Sequence, residues 1–482
     1  MGIKMMLRSF WLRAALAAPL MLAISGAGPM KPAANPNLPP AASAKLARDI
    51  FAELISYHSS ETIGTTPVAK AIYARLKAAG FSGTDLQLLT IPEYPRHAQV
   101  VVRLRGKGHG KPVLWIAHTD VVEAKPEDWT LPPFKLTEKD GYFYGRGTSD
   151  MKDSDVAVMA SLIRLKKEGY VPERDIIAAF TSDEEGGPAN GVQFLLKNHR
   201  ALIDAGLVVN PDGASGAYEK SKRKFFNVGT SEKTYASFNA VVTNKGGHSS
   251  EPRPDNALYD MANALGRLQQ YKFPITLNAT TRSYFAHVAG LQSGQTRADM
   301  MAVSMQRPDM AAAERLARSP DNNALLRTTC VPTMIEGGHA ENALPQRVKL
   351  TIQCRLMPSD SVKNVKAVLE KVMGNPAITL YVIEPVFSGP ESPPTPELMG
   401  TVEKTVHSMW PNVPVFPAMA AGASDSIFTL NAGMPTYGIS GSWGDMEDVR
   451  AHGRDERTRV SSFYEGVEFT YRLMKALAGK PK

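Results

Sequence analysis

Cysteine is almost absent from this sequence: Cys330 and Cys354 are the only two among 482 residues. Two cysteines cannot supply the four ligands of a zinc ribbon. Both lie in strand-like runs on either side of a loop at residues 336–345, so a hairpin would place them opposite each other. We expect either a disulfide, which an oxidising compartment favours, or a pair of buried thiols.

Long apolar runs are missing as well. The apolar stretch at 14–24 falls short of the ~20 residues that a membrane-spanning helix needs, so we expect no stable membrane span. Lys4, Arg8 and Arg13 precede this stretch and the small residues Ser25-Gly-Ala27 follow it. This order predicts a cleavable signal peptide over residues 1–27 and a periplasmic or secreted protein. Residues 28–41, rich in proline, are predicted to be a flexible lead-in.

Dense positive charge is the third absence. The net charge of +8 falls to +5 when the three basic residues of the signal peptide are removed. No stripe of lysine and arginine with interleaved aromatic residues occurs, and such a stripe is typical of nucleic-acid binders. We therefore expect no nucleic-acid partner.

The remaining composition is that of a globular protein, and 482 residues allow more than one core. Helical and strand-like patterns alternate over residues 42–232 and again over 385–482, which predicts one βαβ sheet made of two chain segments. The helices are expected at 43–56, 67–79, 153–168, 191–203, 396–409, 425–430 and 461–477. The strands are expected at 100–104, 113–117, 176–181, 207–210, 413–418 and 436–439.

The pattern between these segments, over residues 233–384, differs. Its order is β-α-β-β-α-β, which predicts an inserted ferredoxin-like α+β domain. The stretch 272–323 is too long for a plain connection and carries helical patterns, but its role is not predicted. The inserted domain could pair edge strands into a homodimer, or this stretch could cover the edge and keep the chain monomeric.

Acidic and imidazole side chains follow the predicted strands. In an open α/β sheet the loops at the carboxyl ends of strands meet in one crevice. Carboxylates that share a crevice repel one another unless a cation neutralises them, so the pattern predicts a site for two divalent ions. Zinc suits such ligands, although cobalt or manganese could replace it. The predicted ligands are His118, Asp150, Glu185, Asp212 and His452. Asp120, two residues beyond His118, is expected to accept the other imidazole N–H.

Several ordered motifs resemble the co-catalytic zinc aminoacylase and carboxypeptidase family, which includes acetylornithine deacetylase, succinyl-diaminopimelate desuccinylase and the Gly-X carboxypeptidases. The resemblance covers nearly all of the chain after the signal peptide. The motifs are His118-Thr-Asp-Val-Val122, Trp129-Thr-Leu-Pro-Pro-Phe134, Gly145-Arg-Gly-Thr-Ser-Asp-Met-Lys152, Asp183-Glu-Glu-Gly186, Gly247-His-Ser-Ser250, Asn342-Ala-Leu-Pro345, Arg355-Leu-Met-Pro358, Gly422-Ala-Ser-Asp425 and His452-Gly-Arg-Asp-Glu456.

The resemblance implies a zinc-peptidase-like three-layer catalytic domain with an inserted lid or dimerisation domain. It also implies how the ligands are shared. His118 and Asp212 would hold one zinc, Glu185 and His452 the other, and Asp150 would bridge them.

Roles for the other motif residues come from the same resemblance. Glu184 would be the general base toward the water or hydroxide that bridges the ions, and His248 would stabilise the oxyanion. Arg355 and Asn342 match positions that bind the free carboxylate of the substrate, and Gly422 would give a flexible loop near that pocket.

The predicted function is a zinc-dependent hydrolase that cleaves a peptide or N-acyl amide bond next to a free carboxylate. Small peptides and N-acyl amino acids are the expected substrates. One alternative is a metal-dependent aminopeptidase or dipeptidase, which would require a free substrate amine. An alternative of another class is a non-catalytic binding protein that keeps the fold.

Overall fold

A computed structural model describes residues 35–479 of the chain. The predicted signal peptide and the first half of the lead-in lie outside these residues. No helix within 35–479 has both the length and the apolar character of a membrane span.

The described residues form helices and strands that alternate for much of the chain. The α-helices are α1 Ala41–Ile55, α2 Thr66–Ala78, α3 Lys152–Lys167, α4 Gly191–Asn198, α5 Arg200–Ile203, α6 Ala257–Gln270, α7 Ala279–Ala289, α8 Gly294–Ser304, α9 Met310–Leu316, α10 Pro320–Leu326, α11 Val362–Met373, α12 Pro396–His407, α13 Ser426–Asn431 and α14 Val460–Ala478. The strands are β1 Leu86–Ile91, β2 Tyr94–Leu104, β3 Val113–His118, β4 Thr137–Lys139, β5 Tyr142–Tyr144, β6 Ile176–Thr181, β7 Leu207–Asn210, β8 Gly216–Glu219, β9 Lys222–Glu232, β10 Thr234–Thr243, β11 Gly247–His248, β12 Thr329–Gly337, β13 Ala343–Leu344, β14 Arg347–Leu356, β15 Ile378–Ile383, β16 Val415–Ala420, β17 Thr436–Gly438, β18 Trp443–Asp445 and β19 Arg457–Arg459.

A ten-stranded mixed sheet is the centre of the catalytic part. Its order is β1-β2-β6-β3-β7-β17-β9-β8-β18, and β16 joins beside β9. The middle strands β3 and β6 are buried along their whole length because helices cover both faces of the sheet. Trp115 of β3 packs into the core with α1, α3 and α14, whereas its neighbours Leu114 and Ile116 pack into the core with α4 and α5. The predicted three-layer α/β architecture is confirmed.

A second, four-stranded antiparallel sheet forms the lid, with the order β12-β14-β10-β15. Alternate residues of β10, such as Phe238 and Ala240, join α6 and α11 in one core. The other face of this sheet carries no helix of the ferredoxin-like unit. The element order β10-α6-β12-β14-α11-β15 is the predicted ferredoxin-like arrangement.

The two cysteines form a disulfide within this lid. Cys330 of β12 and Cys354 of β14 stand opposite each other in the strand register, and their sulfur atoms are bonded. Of the two expectations for this pair, the disulfide is confirmed. The bond fastens the edge strand β12 to its neighbour.

Several features of the fold differ from the expectations. The helix expected over 191–203 is two helices, separated at His199. Strands β8 and β9, which are short or begin with basic residues, were not expected. The stretch 272–323 contains helices α7 to α10, and these pack against the catalytic sheet instead of covering the edge of the lid.

Candidate active site

The predicted ligands lie where three neighbouring parallel strands end. His118 ends β3, the pair Glu184-Glu185 follows β6, and Asp212 follows β7. β3 lies between β6 and β7 and runs parallel to both. The three loops that follow therefore open on the same edge of the sheet.

Asp150 lies between two imidazoles. Its Oδ1 is 3.2 Å from Nε2 of His118, and its Oδ2 is 3.1 Å from Nε2 of His452. The same nitrogen of His452, which stands in the loop between β18 and β19, is 2.8 Å from Oε2 of Glu185. One carboxylate thus faces an imidazole on each of its oxygens, as the predicted bridging ligand requires.

Two overlapping groups of donor atoms result. Donor atoms of His118, Asp150 and Glu185 lie within 4.8 Å of one another, and so do those of His118, Glu184 and Asp212. The six predicted side chains therefore form one cluster, although 334 positions separate the first from the last in the printed numbering.

The electrostatics of the cluster favour bound positive charge. Burial raises the pKa of Glu184 well above its ordinary value, and the neighbouring Asp212 raises it further. Burial and the charge of Asp150 raise the pKa of Asp212 to about 8. Hydrogen bonds with Asp150 and Glu185 raise the pKa of His452 to about 10. These three side chains thus retain protons, and bound cations would displace those protons.

The donors fit divalent cations in their chemistry and their geometry. Nε2 of His118 is buried and makes no hydrogen bond within residues 35–479, although Asp150 Oδ1 is only 3.2 Å away. A nitrogen in that position could offer its lone pair to an ion placed between it and the carboxylate. Two imidazoles with several carboxylates suit zinc, and they also accept cobalt or manganese.

Asp120 contacts both the His118 imidazole and the Glu184-Glu185 loop, whereas the sequence predicts only the contact with the imidazole. Nδ1 of His118 is 3.1 Å from the main-chain oxygen of Asp120 and 3.6 Å from its carboxylate. The carboxylate instead accepts the backbone N–H groups of Glu184 and Glu185, at 3.3 and 3.0 Å. Burial raises the pKa of Asp120 to about 6. Asp120 therefore holds the Glu184-Glu185 loop as well as the imidazole.

Glu456 has a role that the sequence did not reveal. One of its oxygens accepts hydrogen bonds from Asp150 N, Ser149 N and Ser149 Oγ, and the other accepts from Arg146 and from Gly147 N. This buried carboxylate organises the whole loop that carries Asp150. Its only signal in the sequence is its place four residues after His452 in the same motif.

The lid contributes Arg355. Its guanidinium stacks 4.6 Å from the ring centre of Tyr235, and these two residues pair across β10 and β14. Burial lowers the pKa of Arg355, and the negative charge of Glu184 opposes that effect. Arg355 is therefore within electrostatic range of the cluster. Gly422 lies exposed in the loop between β16 and α13, where no neighbouring atom would obstruct a side chain.

His248 and Asn342 lie close to each other on the lid. Strands β11 and β13 pair there, and the backbone N–H of Ser249 donates to the main-chain oxygen of Asn342 at 3.0 Å. The exposed ring of His248 lies 2.7 Å from Ser250 Oγ. Among residues 35–479, no hydrogen bond or ion pair joins either residue to the metal-binding cluster.

A cavity of about 230 Å³ opens beside Asp150 and Gly213 and is bounded by Trp443 of β18 and by Val449 in the loop that follows. A larger cavity, of about 610 Å³, lies between residues 90–94 and residues 188–199 and is lined by none of the six clustered side chains. We consider the smaller cavity the relevant one because it reaches a predicted metal ligand.

The chain is similar in sequence to known peptidases and hydrolases. The family model described as peptidase family M20/M25/M40 matches residues 114–476. The chain is 29% identical over 384 residues to the N-fatty-acyl-amino acid synthase/hydrolase PM20D1 of Xenopus tropicalis, covering 77% of this chain and 74% of that protein. It is 26% identical over 369 residues to a probable succinyl-diaminopimelate desuccinylase of Staphylococcus aureus, strain MRSA252, covering 75% and 82%.

Solved structures share the fold. The M20 family metallo-carboxypeptidase Sso-CP2 of Sulfolobus solfataricus superposes with a TM-score of 0.67 at 18% identity, covering 89% of this chain and 98% of that one. The di-peptidase Dug1p of Saccharomyces cerevisiae superposes with a TM-score of 0.65 at 16% identity, covering 92% and 97%.

Proposed function

The chain belongs to peptidase family M20/M25/M40 and is a metal-dependent hydrolase, and from this premise we propose that it cleaves an N-acyl amide or peptide bond next to a free carboxylate. The observation that carries the proposal is the position of Asp150 between the imidazoles of His118 and His452. A carboxylate shared in this way is what a pair of metal ions requires of a bridging ligand.

Two zinc ions are the cofactor we propose, with cobalt or manganese able to replace them. His118 and Asp212 would hold one ion, Glu185 and His452 the other, and Asp150 would contact both. When bound, such ions polarise a carbonyl oxygen and lower the pKa of water toward ~7. The buried Nε2 of His118 supports this assignment because no described residue forms a hydrogen bond with it.

Glu184 is the proposed general base and acid. Its backbone N–H is held by the Asp120 carboxylate, so the side chain projects from a fixed loop. Burial and the neighbouring Asp212 raise its pKa, which suits a group that must accept a proton and later release it. Glu184 would take a proton from the attacking water and return it to the leaving nitrogen.

The lid would recognise the substrate. The planar guanidinium of Arg355 can bind a carboxylate through two parallel hydrogen bonds, and Tyr235 keeps its plane in place. Asn342 and Gly422 would complete the carboxylate pocket, and His248 would stabilise the oxyanion. Closure of the lid would bring these groups to the scissile bond.

N-acyl amino acids are the substrate class that we place first. The name of the Xenopus tropicalis relative, an N-fatty-acyl-amino acid synthase/hydrolase, supports this order, whereas the name of the Dictyostelium discoideum relative, a probable carboxypeptidase S-like 2, supports a peptide. Both classes leave a free carboxylate beside the scissile bond.

A substrate panel with zinc tests the reaction. We expect hydrolysis of N-blocked substrates with a free carboxylate, such as hippuryl-phenylalanine, and little hydrolysis of hippuryl-phenylalaninamide. The variant Glu184→Gln should retain zinc and lose roughly 10²- to 10⁴-fold in kcat. Glu403→Gln, an exposed carboxylate on α12, is the matched control and should keep wild-type activity.

Other outcomes would decide between the alternatives. A requirement for a free substrate amine would favour the aminopeptidase or dipeptidase. Zinc binding without hydrolysis of any member of the panel would favour a non-catalytic binding protein. Near-normal turnover by Glu184→Gln would contradict the role given to that residue.

Three further proposals concern the setting of the enzyme. We propose that residues 1–27 are a signal peptide and that the mature chain is periplasmic or secreted. The proposed domain limits are 42–232 and 385–482 for the catalytic domain and 233–384 for the lid. A homodimer would form through the lid, and the apolar residues Val331 and Met334, exposed on the edge strand β12, support that interface.

A further inference from the structure

Helices α7 to α10 lie within the lid segment of the sequence, but they pack against the catalytic sheet. They stand between α6 and β12, which are both parts of the lid core. Their own core, however, includes Phe285 and Leu316 of the helices together with Phe225 of β9 and Phe416 of β16. The ring of Tyr284 also packs edge-on against Phe416. We call residues 279–326 the helical strut.

The helical strut doubles the number of connections between the two parts of the chain. The chain passes from the catalytic sheet to the lid at 232–234, returns at 271–278, enters the lid again at 326–329, and leaves it at 384–395. A simple insertion has two such connections. Four connections that are fastened to one another restrict rotation of the lid far more than two do.

Lys233 fastens two of these connections together. Its backbone N–H donates to Ala420 at the end of β16, in the catalytic sheet. Its ammonium group donates to the main-chain oxygens of Ala324 and Arg327, at 2.9 and 2.8 Å. Lys233 has no exposed surface. One residue thus binds the catalytic sheet with its backbone and the end of the helical strut with its side chain.

The segment that Lys233 holds leads directly to Arg355. Thr329, which starts β12, pairs with Arg355 across the lid sheet, and Thr329 Oγ1 is 3.5 Å from the Lys233 ammonium group. Arg327 adds a second link because its guanidinium donates to the main-chain oxygen of Phe273, on the outgoing connection. The position of Arg355 relative to the catalytic sheet should therefore depend on this joint.

We propose that Lys233 is a positioning residue, which fixes the end of the helical strut and thereby sets where Arg355 stands relative to Glu184. The proposal rests on the proposed function, in which Arg355 binds the substrate carboxylate. Lys233 itself does not contact the substrate, because its ammonium group faces two main-chain oxygens and the Thr329 hydroxyl. The helical strut would limit the range of rotation through which the lid closes.

Steady-state kinetics with hippuryl-phenylalanine and its amide test this role. Lys233→Met should raise KM for the acid about tenfold, the scale of one charge-assisted hydrogen bond, and leave kcat within about threefold. KM for the amide should hardly change. Lys349→Met is the matched control: it removes a lysine from the same lid sheet, where the side chain pairs with Glu336, and should leave both constants unchanged.

A double variant separates this proposal from the proposed function. Arg355→Gln should itself raise KM for the acid, and adding Lys233→Met to it should raise KM little further, because both changes act on the same contact. Multiplying effects in the double variant would overturn the positioning role. If Arg355→Gln left KM unchanged, Arg355 would not be the residue that binds the substrate carboxylate. The distance measurement described next would still test the role of Lys233.

The positional test measures distance and needs no substrate. Spin labels on the exposed residues Lys70 of α2 and Lys371 of α11 report the separation of the catalytic part and the lid. The native cysteines are bonded to each other and do not react. Lys233→Met, or Lys233→Gln if the first variant is insoluble, should broaden the distance distribution, and Lys349→Met should not. An unchanged distribution would overturn the proposal.

Discussion

Replacing Glu456 with glutamine should weaken both the fold and the metal site. Glu456 has no exposed surface and Arg146 is 3% exposed, and their side chains are 2.7 Å apart. Removing the charge of one partner of a buried ion pair costs about 3 to 5 kcal/mol. The amide keeps the volume of the side chain but turns an N–H group toward donors, so we expect a loss near ~3 kcal/mol.

The loss should appear in two measurements. Thermal unfolding of Glu456→Gln should occur roughly 3 to 6 °C below the wild type. Because the same carboxylate accepts the backbone N–H of Asp150, the zinc dissociation constant should rise about 10- to 100-fold, as it does when a group that orients a ligand is lost. A competition titration with a chromogenic chelator measures this constant.

Glu468→Gln is the matched control for this prediction. Glu468 is also buried and pairs with Arg164 and Arg472, but it stands on α14 and contacts no part of the loop at 145–150. It should lose stability and keep the wild-type affinity for zinc. Equal zinc affinities for Glu456→Gln and the wild type would refute the reasoning.

Three other predictions follow from the cluster, the disulfide and the helical strut. The pKa of Asp212 is about 8 in the metal-free protein, so zinc must displace a proton from this carboxyl group below that pH. Because the raised pKa also means that the metal-free fold loses stability as pH rises toward 8, the increase in Tm on adding zinc should be larger at pH 8.0 than at pH 6.0. Calorimetry measures this difference. Removing the disulfide that joins Cys330 to Cys354, 24 residues apart, should cost ~3 kcal/mol in lid stability by urea unfolding. Phe416→Ala, which empties a fully buried position beneath the helical strut, should cost about 3 to 5 kcal/mol in the same measurement.

The residues that sequence could locate are those whose position follows from short-range pattern. The runs that become β3, β6 and β7 are apolar, so the sequence shows where each strand ends. The acidic and imidazole side chains at these ends are therefore predicted to lie at one edge of the sheet. Cys330 and Cys354 were expected to oppose each other for the same reason. These inferences need only the period of a strand and the direction of neighbouring strands.

The residues that sequence missed depend on contacts between distant segments. Glu456 organises a loop about 310 positions away through hydrogen bonds to backbone N–H groups, which leave no trace in side-chain pattern. The helices of the strut were visible as periodicity, but periodicity does not state which surface covers the apolar face of Phe285. In the sequence, Lys233 is an ordinary lysine at the start of the predicted inserted domain.

The position of β17 makes the central sheet depend on the second segment of the catalytic part. This strand, Thr436–Gly438, lies between β7 and β9 and pairs with both, so within residues 35–479 it joins the two halves of the sheet. His452 follows it by 14 positions. A polypeptide cut ahead of this segment would lose both the joining strand and a proposed metal ligand. Proteolysis at that point would therefore disrupt the sheet and the metal site together.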